Sequence, residues 1–119
     1  MADKIITMQQ LKDIANKFID ERDWKQFHSP KNLSMDISIE ANELMEKFLW
    51  LTTQESIEEI DKNKQEISDE LADVLFGVLC FANVTGIDLS GAFQHKIAEA
   101  AKKYPVEKAK GRREKYTKL

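Results

Sequence analysis

The sequence predicts an all-α protein built as a four-helix bundle, and composition and periodicity are the grounds for that prediction. The 119 residues include only four glycines and two prolines, while 33% are charged and 42% are hydrophobic. That composition is typical of a helix-rich globular chain. Apolar residues recur at three- and four-residue spacing in four segments, which is the period of an amphipathic helix. We expect one domain over residues 1–119, with a core at about 8–105 and a charged tail at 106–119.

The first helix is predicted to begin near Thr7 and to end near Arg22. Its apolar positions, which share one face, are Met8, Leu11, Ile14, Ala15 and Phe18. The next segment, residues 23–30, breaks the helical period and contains two aromatic residues and a histidine. It ends in Ser29 and Pro30, which indicates a new helix start because proline suits the first helical position.

The second helix is predicted to run from Pro30, or from one turn later at Ser34, to Leu51, and the third over residues 62–84. A short helical turn is possible between them. Their inward positions are Ile37, Ala41, Leu44, Phe48 and Leu51, then Ile67, Leu71, Val74, Val78 and Ala82. Gly86 fits the residue that follows the third helix, because glycine adopts the left-handed conformation common there. Asp88 is predicted to cap a fourth helix that ends near Lys103, before Pro105.

Charge, cysteine content and hydropathy limit the class of protein. A net charge of −3 argues against a nonspecific nucleic-acid or membrane binder. The single cysteine, Cys80, cannot form an internal disulfide, and no apolar stretch reaches ~20 residues. We therefore expect a cytoplasmic protein without a membrane partner. The third helix is apolar on nearly every face, which favours a homodimer or homotetramer with this helix in the interface.

Two acid pairs carry the chemistry that the sequence predicts. Glu40 and Glu43 lie three residues apart in the second helix, and Glu70 and Asp73 lie three apart in the third. Residues at that spacing share a helix face. With helix ends near residues 51 and 62, Glu43 lies eight residues before the connection and Glu70 eight after it. Antiparallel packing would then bring all four carboxylates to one height.

Four crowded carboxylates favour a bound cation, since they repel one another unless their charge is neutralised. Oxygen ligands without histidine or thiolate suit Mg²⁺ or Mn²⁺ best. Asp73 is the only charge between Glu70 and Asp88, so we expect it to be buried and to need a partner. The alternative is that these are solvated helix-surface acids, as the similar spacing of Glu43 and Glu46 illustrates.

Four segments together resemble a known family. They read RDWKQFHSPKNL at residues 22–33, IEANELMEKFLW at 39–50, ELADVL at 70–75 and KYP at 103–105. The chain resembles the MazG-like nucleoside triphosphate pyrophosphohydrolases over roughly residues 8–110. Within that family it is most similar to the dCTP-pyrophosphatase-like branch of the all-α NTP-pyrophosphatase superfamily.

The resemblance implies roles for individual residues. It makes Glu40, Glu43, Glu70 and Asp73 the catalytic residues and the ligands of Mg²⁺, for which Mn²⁺ is a substitute. The implied reaction cleaves a (d)NTP between its α and β phosphates, giving the monophosphate and pyrophosphate. The implied substrate contacts are Trp24, Phe27, His28, Trp50, Lys96, Lys103 and Tyr104.

The chain departs from the family pattern at two positions. Ala100 stands where relatives often carry an asparagine before the KYP segment, and Ala15 stands where close relatives of the dCTP type carry a histidine. Both positions concern sugar or base recognition. The expected substrate is therefore dCTP, a modified pyrimidine nucleotide or another non-canonical nucleotide, as in the cleaning of a nucleotide pool.

Other classes of protein would carry different residues or activities. A carboxylate-bridged di-iron bundle predicts Glu-x-x-His on two helices, and neither His28 nor His95 follows a glutamate by three. A non-catalytic helical module that binds nucleotides or other partners would show no metal-dependent activity. The acids alone leave open dUTP or phosphoribosyl-ATP hydrolysis, although residues 24–28 resemble the dCTP-type branch.

Overall fold

A computed structural model describes all 119 residues and contains helices but no strands. Its α-helices are α1 (Met8–Glu21), α2 (Pro30–Glu46), α3 (Thr53–Lys62), α4 (Lys64–Thr85), α5 (Leu89–Lys103) and α6 (Val106–Ala109). Short 3₁₀ turns lie at Ala2–Lys4, Lys25–Phe27 and Tyr116–Lys118. The all-α class is confirmed, and so are the four predicted long helices.

α1 is fixed at both ends by local hydrogen bonds. At its start, the Thr7 hydroxyl accepts from the Gln10 amide and the Gln10 side chain accepts from the Thr7 amide, a reciprocal capping box. At its end, the Asp23 amide donates to the Asp20 carbonyl and the Trp24 amide to the Ile19 carbonyl, both at 3.1 Å. This is a Schellman motif. It requires the left-handed conformation that Asp23 adopts, with φ of 55°.

α2 starts where it was predicted but ends five residues earlier than expected. Ser29 caps it through its hydroxyl, which accepts from the Asn32 amide, and Pro30 occupies the first turn. Beyond Glu46 the chain forms a series of tight turns up to Leu51. The predicted short turn after it is a full helix, α3, because Thr52 and Glu55 form a second capping box.

α4 is the helix against which α1, α2 and α3 all pack. Its buried residues are Gly77, Leu79, Cys80 and Ala82, and they meet Ala15, Ile19 and Leu33 from the other helices. Gly77 permits the close approach of α2, since a Cβ there would lie 3.0 Å from Ile37 Cγ1. Gly86 ends α4 with φ of 72°, which confirms its predicted role.

Five positions predicted on the apolar faces of the helices are exposed: Met8, Ile14, Phe18, Ala41 and Leu71. The side chains of Ile14 on α1 and Leu71 on α4 are 60% and 58% exposed. Ile14 and Phe18 line an open groove between α1 and α4. Helical periodicity identifies an apolar face but not whether another element covers it. No single helix is long and apolar enough to cross a membrane; by length and composition only α4 and α5 taken together qualify.

The chain divides into two compact units, Met1–Gly86 and Ile87–Leu119. In the second unit, Asp88 precedes α5 as predicted, although its side chain makes no capping hydrogen bond. The Tyr104 ring packs edge-on against the Tyr116 ring, with centroids 5.8 Å apart. The tail is partly ordered as α6 and the 3₁₀ turn Tyr116–Lys118.

Candidate functional site

Three acidic side chains converge between α2 and α4. One carboxylate oxygen from each of Glu40, Glu43 and Glu70 lies within 4.8 Å of the other two. Glu40 and Glu43 are one turn apart on α2, and Glu70 faces them from α4. The helices that the sequence predicted to be antiparallel neighbours therefore bring three of the four predicted carboxylates into one cluster, called here the acidic cluster.

Two oxygens of the acidic cluster are buried without any hydrogen-bond partner. They are Oε2 of Glu40 and Oε2 of Glu70, both on half-buried side chains. A buried polar atom without a partner costs free energy, and a buried carboxylate costs more. Oxygens that have lost water and have gained no donor are well suited to coordinate a cation.

Burial and mutual repulsion disfavour ionisation of the acidic cluster. Burial, followed by the hydrogen bond to Glu43 and the charges of Glu43, Asp73 and Asp36, raises the pKa of Glu40 to about 7. Burial and the charge of Glu43 also raise the pKa of Glu70, against the opposing effect of Lys47. A bound divalent cation would reverse these shifts, and an all-oxygen donor set fits a hard cation such as Mg²⁺.

Asp73 lies beside the acidic cluster but differs from the prediction in its burial. We expected a buried side chain, whereas Asp73 is exposed. It lines an apolar groove between α1 and α4 as well as a cavity that it shares with Glu40. Its charge raises the pKa of both Glu40 and Glu70, so it belongs to the same electrostatic environment.

A cavity of about 430 Å³ adjoins the acidic cluster at Glu40 and Asp73. Its walls are rich in rings, from Trp24, Phe27, His28 and Phe76. The remaining lining residues are Ile19, Asn32, Leu33, Asp36, Gly77 and Cys80. A cavity that combines aromatic walls with several polar side chains is a common form of small-molecule site. Burial, followed by the charge of Asp36, raises the pKa of the Cys80 thiol to about 11, so the thiol is protonated at neutral pH.

Local structure places the aromatic residues at this cavity. The Schellman motif at the end of α1 directs Trp24 back onto Phe18, where the two rings pack edge-on with centroids 5.7 Å apart. Phe18 in turn packs edge-on against Phe76 of α4 at 5.7 Å. The Asn32 side-chain amide donates to the Phe27 carbonyl at 3.2 Å, which ties the loop to the first turns of α2.

Trp50 does not line the cavity. Its side chain is 90% exposed, and it follows α2, whereas Trp24 precedes that helix. The 17 residues of α2 span ~25 Å, so the two tryptophans lie at opposite ends of it. The cavity thus brings together Trp24, Phe27 and His28 but not Trp50.

The remaining predicted residues lie in the second unit. Lys96 and Lys103 are on α5, and Tyr104 immediately follows that helix. The ammonium of Lys103 lies 5.1 Å from the centroid of the Tyr116 ring, a cation–π contact.

Sequence reasoning missed seven cavity residues: Ile19, Asn32, Leu33, Asp36, Phe76, Gly77 and Cys80. A signal for Asp36 was present, since it precedes Glu40 by four residues and therefore shares its helix face. Gly77 had a weaker signal, as a glycine inside an otherwise apolar helix that has a close neighbour.

Comparisons with known proteins identify the family of the chain. The model of the MazG-like family matches residues 35–119. The dCTP pyrophosphatase 1 of Rattus norvegicus is 33% identical over 115 residues, which is 95% of this chain and 68% of the relative. The dCTP pyrophosphatase 1 of Homo sapiens is 32% identical with the same coverage. A crystal structure of a pyrophosphatase from Archaeoglobus fulgidus is 39% identical, with a TM-score of 0.79 over 82% of this chain and 92% of that one.

Proposed function

The chain belongs to the MazG-like family and is a nucleotide pyrophosphohydrolase, and we propose that it hydrolyses dCTP or a modified pyrimidine nucleoside triphosphate with Mg²⁺ as cofactor. The products would be the nucleoside monophosphate and pyrophosphate. The observation that supports this proposal is the position of the acidic cluster beside a ring-lined cavity, which offers one place for phosphates and another for a base.

We assign the cation to Glu40, Glu43, Glu70 and Asp73. The donor set fits Mg²⁺ because it is all oxygen, three of its atoms lie within 4.8 Å of one another, and two oxygens are buried without a partner. Mn²⁺ would serve as a substitute. When bound, the cation would hold phosphate oxygens, offset their charge and lower the pKa of a water molecule.

A carboxylate of the chain would also accept the proton of the attacking water molecule. In the proposed reaction a water oxygen forms a bond to the α phosphorus, the bond from that phosphorus to the bridging oxygen breaks, and pyrophosphate leaves. The proton released by the water passes to a carboxylate of the site that is not fully engaged by the cation. The acidic cluster thus positions the reacting groups and accepts a proton within one cavity.

Base binding is assigned to the ring-lined part of the cavity. Trp24, Phe27 and His28 offer faces on which a base can stack, and stacking contributes on the order of 1–3 kcal/mol per base. On the strength of the resemblance, Lys96, Lys103 and Tyr104 remain predicted phosphate contacts and Trp50 a predicted base contact. Alanine variants of these four should raise the KM for the nucleotide if they bind it.

We further propose that the chain forms a homodimer or homotetramer. The sequence predicted this from the apolar character of its third helix, which is α4 in the structure. A groove of about 440 Å³ between α1 and α4 is lined almost entirely by apolar side chains. Among them Ile14, Phe18 and Leu75 are 60%, 39% and 40% exposed. Contiguous apolar surface of that kind usually marks an interface.

Product analysis by chromatography tests the proposed reaction. The purified protein is incubated with each common and several modified (d)NTPs, once with Mg²⁺ and once with EDTA. We expect monophosphate and pyrophosphate from dCTP or a modified pyrimidine nucleotide, and no turnover in EDTA. Release of inorganic phosphate and a diphosphate would place the cleavage at the wrong bond and overturn the proposal.

Light scattering coupled to size exclusion tests the proposed oligomer. Ile14→Lys should convert the wild-type dimer or tetramer to a monomer, because a lysine charge cannot be buried unpaired in an apolar interface. Ile57→Lys on α3 is the matched control, since Ile57 is 62% exposed and lies away from the groove. A monomeric wild type at tens of micromolar would contradict the proposal.

A further inference from the structure

Asp36 is a fifth carboxylate at the site, and neither the acidic cluster nor the fold accounts for it. It lies on α2 one turn before Glu40 and lines the cavity together with Trp24, Phe27 and His28. It is not one of the three side chains whose oxygens lie within 4.8 Å of one another. It therefore stands on the base-binding side of the acidic cluster.

The carboxylate of Asp36 is not held by any ion pair or side-chain hydrogen bond within the chain. It is half-buried, yet no side chain or amide donates a hydrogen bond to it and no cation pairs with it. Aspartate is also a poor helix former, and position 36 is in the interior of α2, where no helix cap is needed. A Cβ at Gly77 of α4 would lie 3.4 Å from Oδ2 of Asp36, so the carboxylate is next to this glycine in the cavity wall.

We propose that Asp36 selects the nucleobase by accepting a hydrogen bond from an exocyclic amino group, and so favours cytosine over uracil and thymine. The inference rests on the proposed function, because it names the base that the same site recognises. An ionised carboxylate only accepts hydrogen bonds, and the amino group at position 4 of cytosine only donates them. Uracil and thymine carry a carbonyl oxygen at that position, which a carboxylate repels. The rings of Trp24 and Phe27 provide stacking but cannot distinguish these bases, since every base offers a π face.

Kinetics with paired substrates test this role. Turnover of dCTP, dUTP and dTTP is measured for the wild type, Asp36→Asn and Asp36→Ala, and the Mg²⁺ concentration that gives half-maximal rate is measured for each. Asp36→Asn keeps the shape of the side chain, but its amide can turn a donor toward a carbonyl. We expect the ratio of kcat/KM for dCTP to that for dUTP to fall on the order of 10- to 100-fold. The Mg²⁺ requirement should not change.

Glu46→Gln is the matched control. It removes one negative charge from the same helix, but Glu46 is exposed and does not line the cavity. Its selectivity should equal that of the wild type. Equal selectivity in Asp36→Asn and the wild type would overturn the proposal. A uniform loss of activity with every nucleotide and a raised Mg²⁺ requirement would also overturn it, because Asp36 would then be a metal ligand.

A binding measurement separates this inference from the proposed reaction. Quenching of tryptophan fluorescence by dCMP and by dUMP needs no turnover, and Trp24 lies in the cavity. A preference of the wild type for dCMP that Asp36→Asn loses would support the inference even if no triphosphate were hydrolysed. Equal affinity of the wild type for dCMP and dUMP would refute it, whatever the kinetics of the triphosphates.

Discussion

Replacing Glu40 with glutamine is expected to stabilise the metal-free protein at alkaline pH. The ionised Glu40 is disfavoured in the fold because burial, and then Glu43, raise its pKa from 4.5 to about 7. A carboxyl group whose pKa is raised by folding binds its proton more tightly in the native state. Stability is therefore lost as pH rises from about 4.5 through about 7. Glutamine avoids that loss, since its amide can donate to Glu43 as the protonated carboxyl does.

The size of the effect follows from the pKa. A rise from 4.5 to about 7 corresponds to about 3 kcal/mol at a pH above both values. Glu40 is only half-buried, so solvent screening reduces the expected gain to about 1–2 kcal/mol. For a chain of 119 residues that is a rise in Tm of roughly 4–8 °C at pH 8. At pH 4 the two proteins should melt together, because Glu40 is then protonated.

Thermal melts of the wild type and Glu40→Gln, in EDTA and in Mg²⁺ at pH 4 and pH 8, measure this difference in Tm. Cation binding at a hundred times its Kd stabilises the wild type by about 2.7 kcal/mol, and Glu40→Gln should gain much less. The variant should therefore be the more stable protein in EDTA and the less stable one in Mg²⁺. Glu46→Gln, on the exposed side of the same helix, should change Tm little in either buffer. A variant that melts below the wild type in EDTA at pH 8 would refute the reasoning.

The other predictions concern turnover, base binding and packing. Glu70→Gln and Asp73→Asn should abolish Mg²⁺-dependent turnover while circular dichroism shows an intact helical fold; retained activity in both would remove the metal assignment. Trp24→Ala should raise the KM for the nucleotide by about 10-fold if its ring stacks on the base, and an unchanged KM with a lower Tm would make it a packing residue only. Gly77→Ala should lower the free energy of unfolding by about 1–3 kcal/mol, because the new methyl group would lie 3.0 Å from Ile37. Denaturant titration measures this free energy, and a value equal to that of the wild type would show that α2 can shift to accommodate the methyl group.

Much of the helical structure could be predicted because it depends on local sequence. Thr7, Ser29 and Gly86 act within a few residues of themselves, and each has the predicted role in the structure. The end of α2 was predicted wrongly for a related reason. Phe48 and Leu51 continue the helical period of apolar residues, but the chain between them is already in turns that lead to the cap of α3. Periodicity reports which face is apolar and not which hydrogen bonds are made.

The candidate site depends on features that the sequence conceals. The loop that carries Trp24 is directed by a left-handed aspartate at residue 23, a conformation usually associated with glycine. Because this turn was not predicted, neither the position of Trp24 in the cavity wall nor the role of Asp36 beside it could be predicted. The exposure of Asp73 could not be foreseen either, because an apolar run along a chain indicates burial only if another surface covers it.

Asp73 has a second consequence, because it lines the groove between α1 and α4 as well as the ring-lined cavity. If a second copy of the chain occupies that groove, one carboxylate contributes both to subunit association and to cation binding. The two equilibria are then thermodynamically linked, and linkage is reciprocal. Mg²⁺ should strengthen self-association by the same factor by which self-association strengthens Mg²⁺ binding. Dilution of the enzyme should therefore raise the Mg²⁺ concentration that it needs for activity.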